Sequence, residues 1–473
     1  ITMLQSRVQQ GSLVDRRTSC SGIGLLHPSH QQPSTVRCRN VVQPTTSSTR
    51  QDSDTAHTQD IRAATQTVID APSTSAPVEI QRLRSQTGWP KKSSLYLLRT
   101  DGKSCSRELV TGTGKLHFAY PSTQQHLLVW RNRPKSVMVL KKLGPALLDE
   151  FMQVVRFLGE EERLRVVVEP DVYRQHIAHC PQLSQYCYSY AEGEQERLAE
   201  FVDFVVCLGG DGVILHASTL FRRSIPPVVA FNLGSLGFLT NCGFGEFREE
   251  LRAIIYGSQK LDSCSITFDS MDETANTLGV MVTLRMRLYC EIVRRGCTEP
   301  SEVHEVLNEM VIDRGSSSFL TNIECYEKGR FVTRVQADGI MLATPTGSTA
   351  YSVAAGGSMV HPNVPAILLT PVCPHSLSFR PIILPDYAEL ELRIPADARC
   401  TAWVCFDGRH RQELHHGDSV RVKMSENPVP TINKTDLTGD WFDSLERCFR
   451  WSDRSVVQKP LTPPAGSNGT TQA

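Results

Sequence analysis

The stretch CLGGDGVILHA, residues 207–217, decides the fold because it joins a strand to a helix through a glycine-rich turn. The run that leads into it, 203–208, is mostly apolar, as in a buried strand, and the residues after the turn have a helical pattern. Gly209, Gly210 and Gly212 permit positive φ angles and close approach of another group to the backbone. The N–H groups at the start of the following helix can meet phosphate oxygens. The stretch therefore predicts a phosphate-facing turn at a strand end.

Asp211 places one carboxylate among these glycines. A carboxylate beside phosphates is repelled unless it binds the magnesium that neutralises them or accepts the proton of an attacking hydroxyl. The alternative is a tight strand-to-helix turn in which Asp211 only caps the helix, and the four residues alone do not separate these interpretations. The spacing is not the dinucleotide fingerprint G-x-G-x-x-G, which disfavours a simple Rossmann dehydrogenase.

Strand and helix patterns alternate on both sides of the turn. Residues 136–140 and 166–168 are short β-branched and apolar runs, and the residues between them carry apolar side chains at helical spacing. A further strand is predicted at 227–231. Alternating strands and helices imply a parallel sheet with ligands at the carboxyl ends of its strands. We therefore predict an α/β N-terminal domain with a parallel, Rossmann-like sheet and the turn at one such end.

The pattern changes from about residue 281, where short strands and hairpin turn signals at Lys328-Gly329 and Asp407-Gly408 predict a β-rich C-terminal domain. The beginning of the chain is rich in Ser, Thr, Gln and Pro and has no lasting apolar face, so we predict disorder there. The predicted organisation is a disordered N-terminal extension at 1–130, an α/β domain at 131–260, a β-rich domain at 261–452 with an inserted loop at 265–279, and a disordered tail at 453–473.

Composition disfavours several kinds of partner. The 50 Lys and Arg residues balance the 50 Asp and Glu residues, so no net field draws the chain to nucleic acid or to an anionic membrane. The 15 cysteines are scattered without zinc spacing, which favours reduced thiols. No apolar run reaches membrane-span length, and no signal-peptide pattern is visible. We therefore expect no nucleic-acid or membrane partner and a cytosolic location, with a mitochondrial one less favoured.

Asn308 and Glu309 interrupt the apolar strand VLNEMVI with two adjacent polar side chains. If side chains alternate along the strand, one of the two points to the buried face and needs a partner. A ribose hydroxyl or an adenine nitrogen would satisfy an amide and a carboxylate together. The alternative is an edge strand with both groups in solvent.

The stretch ADGIMLATPTGSTAYS sets Asp338 before a strand and a turn rich in hydroxyl residues and glycine after it. Residues 347–350, Gly-Ser-Thr-Ala, let a nucleotide approach the backbone closely, and Tyr351 can stack on it or donate its hydroxyl. The alternative role for Ser348 or Thr349 is that of a helix N-cap, which is compatible with binding.

Six motifs together are similar to those of one kinase family: CLGGDG, FNLGSLGFLT, LNEMVIDRG, ADGIMLATPTGSTAYS, HPNVPAILLTPVCPHSLSFRPIILP and FDGRHRQEL. From about residue 131 to 452 the chain closely resembles the animal cytosolic NAD kinases. GGDG is shared with diacylglycerol and sphingosine kinases and with phosphofructokinases, whereas NE followed by TPTGSTAY is specific. The resemblance implies that the γ-phosphate of ATP is transferred to the 2′-hydroxyl of the adenosine ribose of NAD, which gives NADP. It also implies Mg²⁺ with the ATP, an active site between the domains, and a homo-oligomer, either a dimer or a tetramer.

The resemblance implies a role for each matching residue. Asp211 resembles the catalytic proton acceptor and is also the possible magnesium ligand, while no dedicated metal ligand is assigned. The residues that resemble phosphate-binding and nucleotide-binding positions are Gly209, Gly210, Gly212, Asn308, Glu309, Asp338, Thr346, Gly347, Ser348, Thr349, Ala350 and Tyr351.

Val213 departs from the family, because a hydroxyl residue usually follows GGDG. The change removes one potential contact to phosphate or metal and leaves Asp211 in place. Two other functions stay open. A lipid kinase of the diacylglycerol or sphingosine type would share GGDG but lack NE and TPTGSTAY, and a non-catalytic nucleotide sensor would need the pocket but not Asp211.

Overall fold

A computed structural model describes residues 92–100, 105–111, 125–191, 193–234, 237–258 and 278–450 of the chain. The predictions for residues 1–91, for most of the inserted loop and for the C-terminal tail lie outside these residues. Among the described residues, every helix is too short or too polar to cross a membrane.

The secondary structure is numbered along the chain. The strands are β1 (Leu95–Thr100), β2 (Cys105–Val110), β3 (Gln125–Trp130), β4 (Ser136–Lys141), β5 (Arg165–Val168), β6 (Cys187–Ser189), β7 (Phe204–Gly209), β8 (Val228–Asn232), β9 (Cys242–Gly243), β10 (Val280–Arg285), β11 (Leu288–Val293), β12 (Glu302–Val306), β13 (Glu309–Asp313), β14 (Thr321–Glu327), β15 (Arg330–Ala343), β16 (Ala366–Pro374), β17 (Ile382–Pro385), β18 (Leu390–Arg393), β19 (Ala402–Phe406), β20 (Arg409–Leu414), β21 (Ser419–Met424) and β22 (Val429–Ile432). The α-helices are α1 (Leu148–Arg156), α2 (Pro170–Val172), α3 (Pro181–Ser184), α4 (Leu198–Phe201), α5 (Asp211–Leu220), α6 (Phe247–Tyr256), α7 (Tyr351–Ala354) and α8 (Leu437–Phe449). Wider π turns continue α1 over Phe157–Glu161 and α2 over Tyr173–Ile177, and 3-10 turns occupy Gln195–Arg197, Phe244–Glu246 and Thr346–Thr349.

The first sheet is built around the parallel strands β6, β5, β4, β7, β8 and β22, which lie side by side in that order. It continues antiparallel through β10, β3, β1 and β2, and the short β9 lies beside β8. Every residue of β4 and β7 is buried, because both faces of the sheet are covered. This explains why these strands are almost continuously apolar rather than alternating.

Helices cover both faces of this sheet. Apolar residues of α1 and α6, among them Phe151 and Leu251, share a core cluster with alternate residues of β7. Val205 and Cys207 of β7 share a second cluster with Ile214 and Ala217 of α5. Gly209 at the end of β7 pairs with Asn232 at the end of β8, so both carboxyl ends open where α5 begins. The predicted α/β fold is therefore confirmed, with the glycine turn at a strand end.

The second sheet is antiparallel at every described pairing. Its strands follow the order β12-β11-β21-β18-β14-β15-β13-β19-β20, with β16 beside β15 and β17 beside β16. The predicted turns Lys328-Gly329 and Asp407-Gly408 join β14 to β15 and β19 to β20, and all four residues have positive φ as type I′ turns require. This sheet has its own core cluster, which confirms the β-rich C-terminal domain.

The prediction of disorder for the whole of 1–130 is wrong for its described part. Strands β1, β2 and β3 complete one side of the first sheet, and Leu95 and Leu97 are buried in its core. The backbone N–H of Ser93 donates to the buried carboxylate of Asp203 at 2.7 Å. Each of these strands has only six residues, so their apolar runs are lost when composition is averaged over the polar segment around them.

The boundary between the domains also differs from the prediction at 260 and 261. Strands β10 and β22 fall in the segment predicted to be the second domain, yet both belong to the first sheet, where β22 lies between β8 and β10. The chain thus leaves the first sheet after β10, forms the second sheet, and returns with β22 and α8. A strand pattern in the sequence does not say which sheet a strand joins.

Candidate functional site

Of the three glycines of the turn, only Gly209 adopts the positive φ that its sequence permits, whereas Gly212 lies within α5 and has open space around it. Gly209 has a φ of 146°, and a Cβ there would lie 2.9 Å from a methyl group of Val213, so glycine is required. Gly210 is extended and precedes the first residue of α5, where no side chain caps the helix. The first N–H groups of α5 are therefore free of a side-chain cap, as an anion-binding helix start requires. Val213, which departs from the family pattern, is buried against the turn.

Asp211 does not cap α5. Its carboxylate accepts hydrogen bonds from the backbone N–H groups of Phe238 and Leu239, both at 2.8 Å. These residues follow β8, the neighbouring parallel strand. Burial raises the pKa of Asp211, while the two N–H groups and the charge of Arg285 partly offset this rise. The carboxylate is thus held in a fixed position with raised basicity, as a proton acceptor needs.

The C-terminal helix α8 supports the segment that binds Asp211. The Oγ of Ser444 donates to Asn241 Oδ1 at 3.1 Å, and the rings of Phe238 and Phe449 pack with their centroids 6.2 Å apart. Asp440 at the start of α8 accepts from the backbone N–H of Lys434 at 2.7 Å. Helix α8 therefore holds the 237–241 segment in place.

Arg285 connects the two halves of the site, and sequence reasoning missed it. Its buried guanidinium donates to Thr431 Oγ1 at 2.9 Å and to Thr346 Oγ1 at 3.4 Å. Burial lowers the pKa of Arg285 to about 10, against the opposing charges of Asp211 and Asp440. A charged side chain is almost never buried without partners, and the two threonine hydroxyls and the two carboxylates supply them for Arg285.

The Asn308-Glu309 pair lies at a break between β12 and β13 that Asp407 holds open. The Asp407 carboxylate accepts from the backbone N–H groups of Leu307, Asn308 and Glu309 at 2.8, 2.7 and 3.2 Å. In return the Asp407 N–H donates to the Glu309 carbonyl at 3.0 Å. Strand β13 lies inside the sheet between β15 and β19, so the edge-strand alternative is wrong. Asp407 carried a turn signal in the sequence, which gave no sign that its side chain reaches this strand.

Glu309 is the most perturbed carboxyl group of the site. Its side chain is 9% exposed, and its Oε2 has no hydrogen-bond partner among the described residues. Burial, and then the negative charge of Asp407, raise the pKa of Glu309 to about 8, while the backbone N–H of Tyr351 acts in the opposite direction. A buried oxygen without a partner marks a position where a ligand hydroxyl or amine can bind.

The turn at 344–351 packs directly on the Asn308 backbone. The N–H of Thr344 donates to the Asn308 carbonyl at 2.9 Å, and a Cβ on Gly347 would lie 2.1 Å from that oxygen. The hydroxyl of Ser348 donates to the Pro345 carbonyl at 2.6 Å and accepts from the Val360 N–H at 2.9 Å.

Most hydroxyl groups of this turn are engaged within the protein. Thr346, Ser348 and Thr349 are buried, and the Thr349 hydroxyl donates to the Thr346 carbonyl at 3.1 Å. The N-cap residues of the two short helical segments are Pro345 and Ala350, so the N-cap alternative for Ser348 or Thr349 is wrong. Ala350 has φ and ψ values outside the helical region and turns the chain into α7.

Asp338 and Tyr351 complete the set of predicted residues. Asp338 forms an ion pair with Arg314 at 2.9 Å, and Tyr351 is 37% exposed. The pKa of Tyr351 is raised by burial and by the charges of nearby carboxylates that include Glu309 and Asp338. Glu309, Asp338 and Tyr351 therefore share one electrostatic environment. Asp211 is connected to the 346–351 turn through Arg285, whose charge acts on Asp211 and whose guanidinium donates to Thr346.

The described side chains supply few ligands for a metal ion. In the described part of the chain no group of three or more His, Cys, Asp or Glu side chains is placed to hold a metal ion. Each Asp211 oxygen accepts one backbone N–H and keeps further acceptor capacity. A single carboxylate together with substrate phosphates is a common donor set for Mg²⁺.

The fold and the site define a two-domain nucleotide-binding protein with one half-buried carboxylate at a glycine-rich phosphate turn. Two family models match the chain: the ATP-NAD kinase N-terminal domain over residues 137–259 and the ATP-NAD kinase C-terminal domain over residues 307–434. The chain belongs to the ATP-NAD kinase family. The family identified on the motifs is thereby confirmed, and neither the lipid-kinase nor the non-catalytic alternative is supported.

Individual relatives agree with this assignment. NAD kinase 2, chloroplastic, of Arabidopsis thaliana is 55% identical over 371 residues, which cover 78% of this chain and 36% of that protein. NAD(+) kinase of Saccharomyces cerevisiae is 43% identical over 275 residues, which cover 55% of this chain and 47% of that protein. The crystal structure of yeast NADH kinase complexed with NADH matches with a TM-score of 0.59 and 30% identity, covering 74% of this chain and 96% of the yeast one. The chain thus spans less than half the length of the two curated relatives.

Proposed function

We propose that the chain is an NAD kinase, which transfers the γ-phosphate of ATP to the 2′-hydroxyl of the adenosine ribose of NAD and gives NADP. The observation that carries the proposal is the position of Asp211, fixed by Phe238 and Leu239 beside the uncapped start of α5 and linked through Arg285 to Thr346. In this proposal Asp211 is the proton acceptor, the turn at 209–212 faces the phosphates, and the polar residues at 308–309 and 346–351 bind the nucleotide. The family membership and the names of the relatives support the same reaction.

The proposed step needs only an aligned hydroxyl and a neutralised phosphate chain. The 2′-oxygen attacks the γ-phosphorus and forms the new O–P bond, while its proton passes to the Asp211 carboxylate. The bond between the γ-phosphorus and the bridging oxygen breaks, and ADP leaves with that electron pair. Asn308, Glu309, Asp338 and residues 346–351 would hold the dinucleotide in place.

We propose that magnesium binds together with the nucleotide. Asp211 is the side chain that would supply a protein oxygen to it, with phosphate oxygens and waters as the other ligands. When bound, the ion would neutralise charge that develops on the phosphate oxygens.

A direct assay tests the function. Purified protein is incubated with ATP and Mg²⁺ and with NAD, NADH, sphingosine, diacylglycerol or fructose 6-phosphate, and NADP is measured with an NADP-specific dehydrogenase. NADPH from the NADH reaction is measured by its absorbance after separation. We expect phosphorylation of NAD, with NADH tested because one relative is a named NADH kinase. Phosphorylation of a lipid or sugar without any NADP or NADPH would contradict the proposal.

We further propose that the protein forms a homo-oligomer through the edge of the second sheet. Strand β17 pairs only with β16 among the described strands, and it exposes Ile382 and Ile383. Leu377 and Tyr387 beside it are 89% and 70% exposed. An apolar edge strand is a surface that pairs with another chain. Light scattering should give a dimer or tetramer that Ile383→Lys dissociates, and a monomeric parent protein would contradict the proposal.

A cytosolic location stays a proposal from composition. The name of the Arabidopsis relative places that protein in the chloroplast. Fluorescence of a full-length fusion in cells of the source organism would decide between the cytosol and an organelle.

A further inference from the structure

Arg409 brings a positive charge from the second sheet to the start of α5. It is the first residue of β20, directly after the Asp407-Gly408 turn, and its side chain is exposed. Its Nη2 lies 3.4 Å from the Gly212 carbonyl, and its Nη1 lies 3.5 Å from His216 Nδ1. Both contacts are long, and neither partner carries a negative charge.

The neighbouring arginines are neutralised, whereas Arg409 is not. Arg411, two residues further along β20, forms an ion pair with Asp313 at 2.8 Å, and Arg314 forms one with Asp338 at 2.9 Å. Within the described residues, Arg409 forms no ion pair with a carboxylate. A guanidinium beside the positive end of a helix dipole is electrostatically unfavourable, and an anion bound between the two would remove this repulsion.

His216 holds the guanidinium without neutralising it. The Nε2 of His216 lies 2.7 Å from Glu169 Oε1, so this ring nitrogen donates a hydrogen bond to that carboxylate. In the neutral ring the other nitrogen, Nδ1, is an acceptor that faces Arg409. Glu169 follows β5, and His216 lies in the helix that follows β7. Residues after two strands of the first sheet therefore orient Arg409 of the second sheet.

We propose that Arg409 binds the phosphate chain of ATP across the domain junction. The inference rests on the proposed function, because it requires the donor phosphates to lie at the glycine turn beside Asp211. A guanidinium is planar and always charged, and it donates paired hydrogen bonds to phosphate oxygens. The same hairpin carries Asp407, which holds the Asn308 and Glu309 backbone. One turn therefore contacts the donor site and the dinucleotide site.

Binding measurements test this inference separately from catalysis. Isothermal titration calorimetry gives the Kd of MgATP, of ADP, of AMP and of NAD for the parent protein and for Arg409→Met, Arg409→Lys and Arg330→Met. Arg330 lies exposed at the far hairpin of the second sheet and serves as the matched control. We expect Arg409→Met to weaken MgATP binding roughly 10-fold to 100-fold, as for loss of a charge-assisted pair. AMP and NAD binding should change less than about 3-fold, and Arg409→Lys should recover part of the loss.

The outcomes separate this inference from the proposed function. An unchanged MgATP Kd in Arg409→Met would overturn it, and so would an equal weakening of MgATP and NAD with a lowered Tm, since that pattern indicates a structural role. A parent protein that does not bind MgATP also overturns it. A parent protein that binds MgATP through Arg409 but forms no NADP would refute the proposed function and leave the role of Arg409 supported.

Discussion

The Asp407 carboxylate accepts a hydrogen bond from the backbone N–H of Asn308 at 2.7 Å, although the two residues are 99 positions apart in the sequence. Asp407→Ala removes the acceptor of three partly buried N–H groups at once. We expect a loss of stability of about 1–3 kcal/mol or more, because each unsatisfied buried donor is costly. The KM for NAD should rise in parallel, since the Asn308 and Glu309 backbone loses its support.

Urea unfolding and steady-state kinetics measure these two effects. Asp171→Asn is the matched control, because the Asp171 side chain is 76% exposed. Unchanged values for Asp407→Ala in both measurements would show that this carboxylate does not organise the strand break.

Asp211→Asn tests the proton acceptor. The amide keeps one acceptor oxygen but loses charge and basicity, so kcat should fall roughly 10²–10⁴-fold. One of the N–H groups of Phe238 and Leu239 also loses its acceptor, which should cost about 1 kcal/mol of stability. The Kd for NAD should change much less. If Asp211 mainly binds magnesium, excess metal should restore much of the rate, so kcat is titrated against Mg²⁺ at saturating ATP and NAD. A kcat close to that of the parent at every Mg²⁺ concentration contradicts both roles.

Glu309→Gln tests the raised pKa of this carboxyl group. Between pH 4.5 and about 8 the unfolded chain releases the Glu309 proton while the folded protein retains it, so stability falls as pH rises across this window. The glutamine variant has no proton to lose there. Its Tm relative to the parent should therefore be higher at pH 8 than at pH 5, by at least roughly 2 °C.

Thermal unfolding at several pH values measures this difference. Glu200→Gln serves as the control, because the Glu200 side chain is 51% exposed. A Tm difference for Glu309→Gln that stays constant from pH 5 to pH 8 would mean that Glu309 ionises at its ordinary pKa.

Two truncations test the strands at the beginning of the first sheet. Deleting residues 1–91 leaves β1 and β2 intact, whereas deleting residues 1–120 removes them together with buried Leu95 and Leu97. Loss of two buried leucines alone costs about 4 kcal/mol or more. The longer deletion should therefore have a Tm several degrees below that of the shorter one. Equal melting temperatures would show that β1 and β2 contribute nothing to the folded domain.

Local sequence patterns predicted the turns, because the backbone conformation of a turn depends on the residues within it. The Gly209 turn and the hairpin at Asp407-Gly408 require backbone conformations that few residues adopt, so their sequences are informative. The expectation that Asp211 and residues 346–351 belong to one site came from the family resemblance, because nothing in the spacing of the sequence brings the two segments together.

Partners that are distant in sequence were not predictable. Arg285 and Asp407 act on residues 61 and 99 positions away. Their side chains look ordinary in the sequence, because a strand arginine and a turn aspartate usually face solvent. The Phe238 and Leu239 N–H groups could have been found, since they follow a second glycine-containing stretch of sequence after β8, the strand beside β7. The rule that places ligands at strand ends applies to both stretches.

The return of β22 to the first sheet sets the order in which a ribosome can complete this protein. Strands β8 and β10 leave a gap between them that only residues 429–432 fill, and these are made after the whole second sheet. During synthesis β8 and β10 therefore each keep an unpaired edge at this gap. The edges stay unpaired until the nearly 150 residues between β10 and β22 have been made. A nascent chain stalled before residue 429 is incomplete in both its first sheet and its active site, and such open edges are the surfaces that chaperones protect.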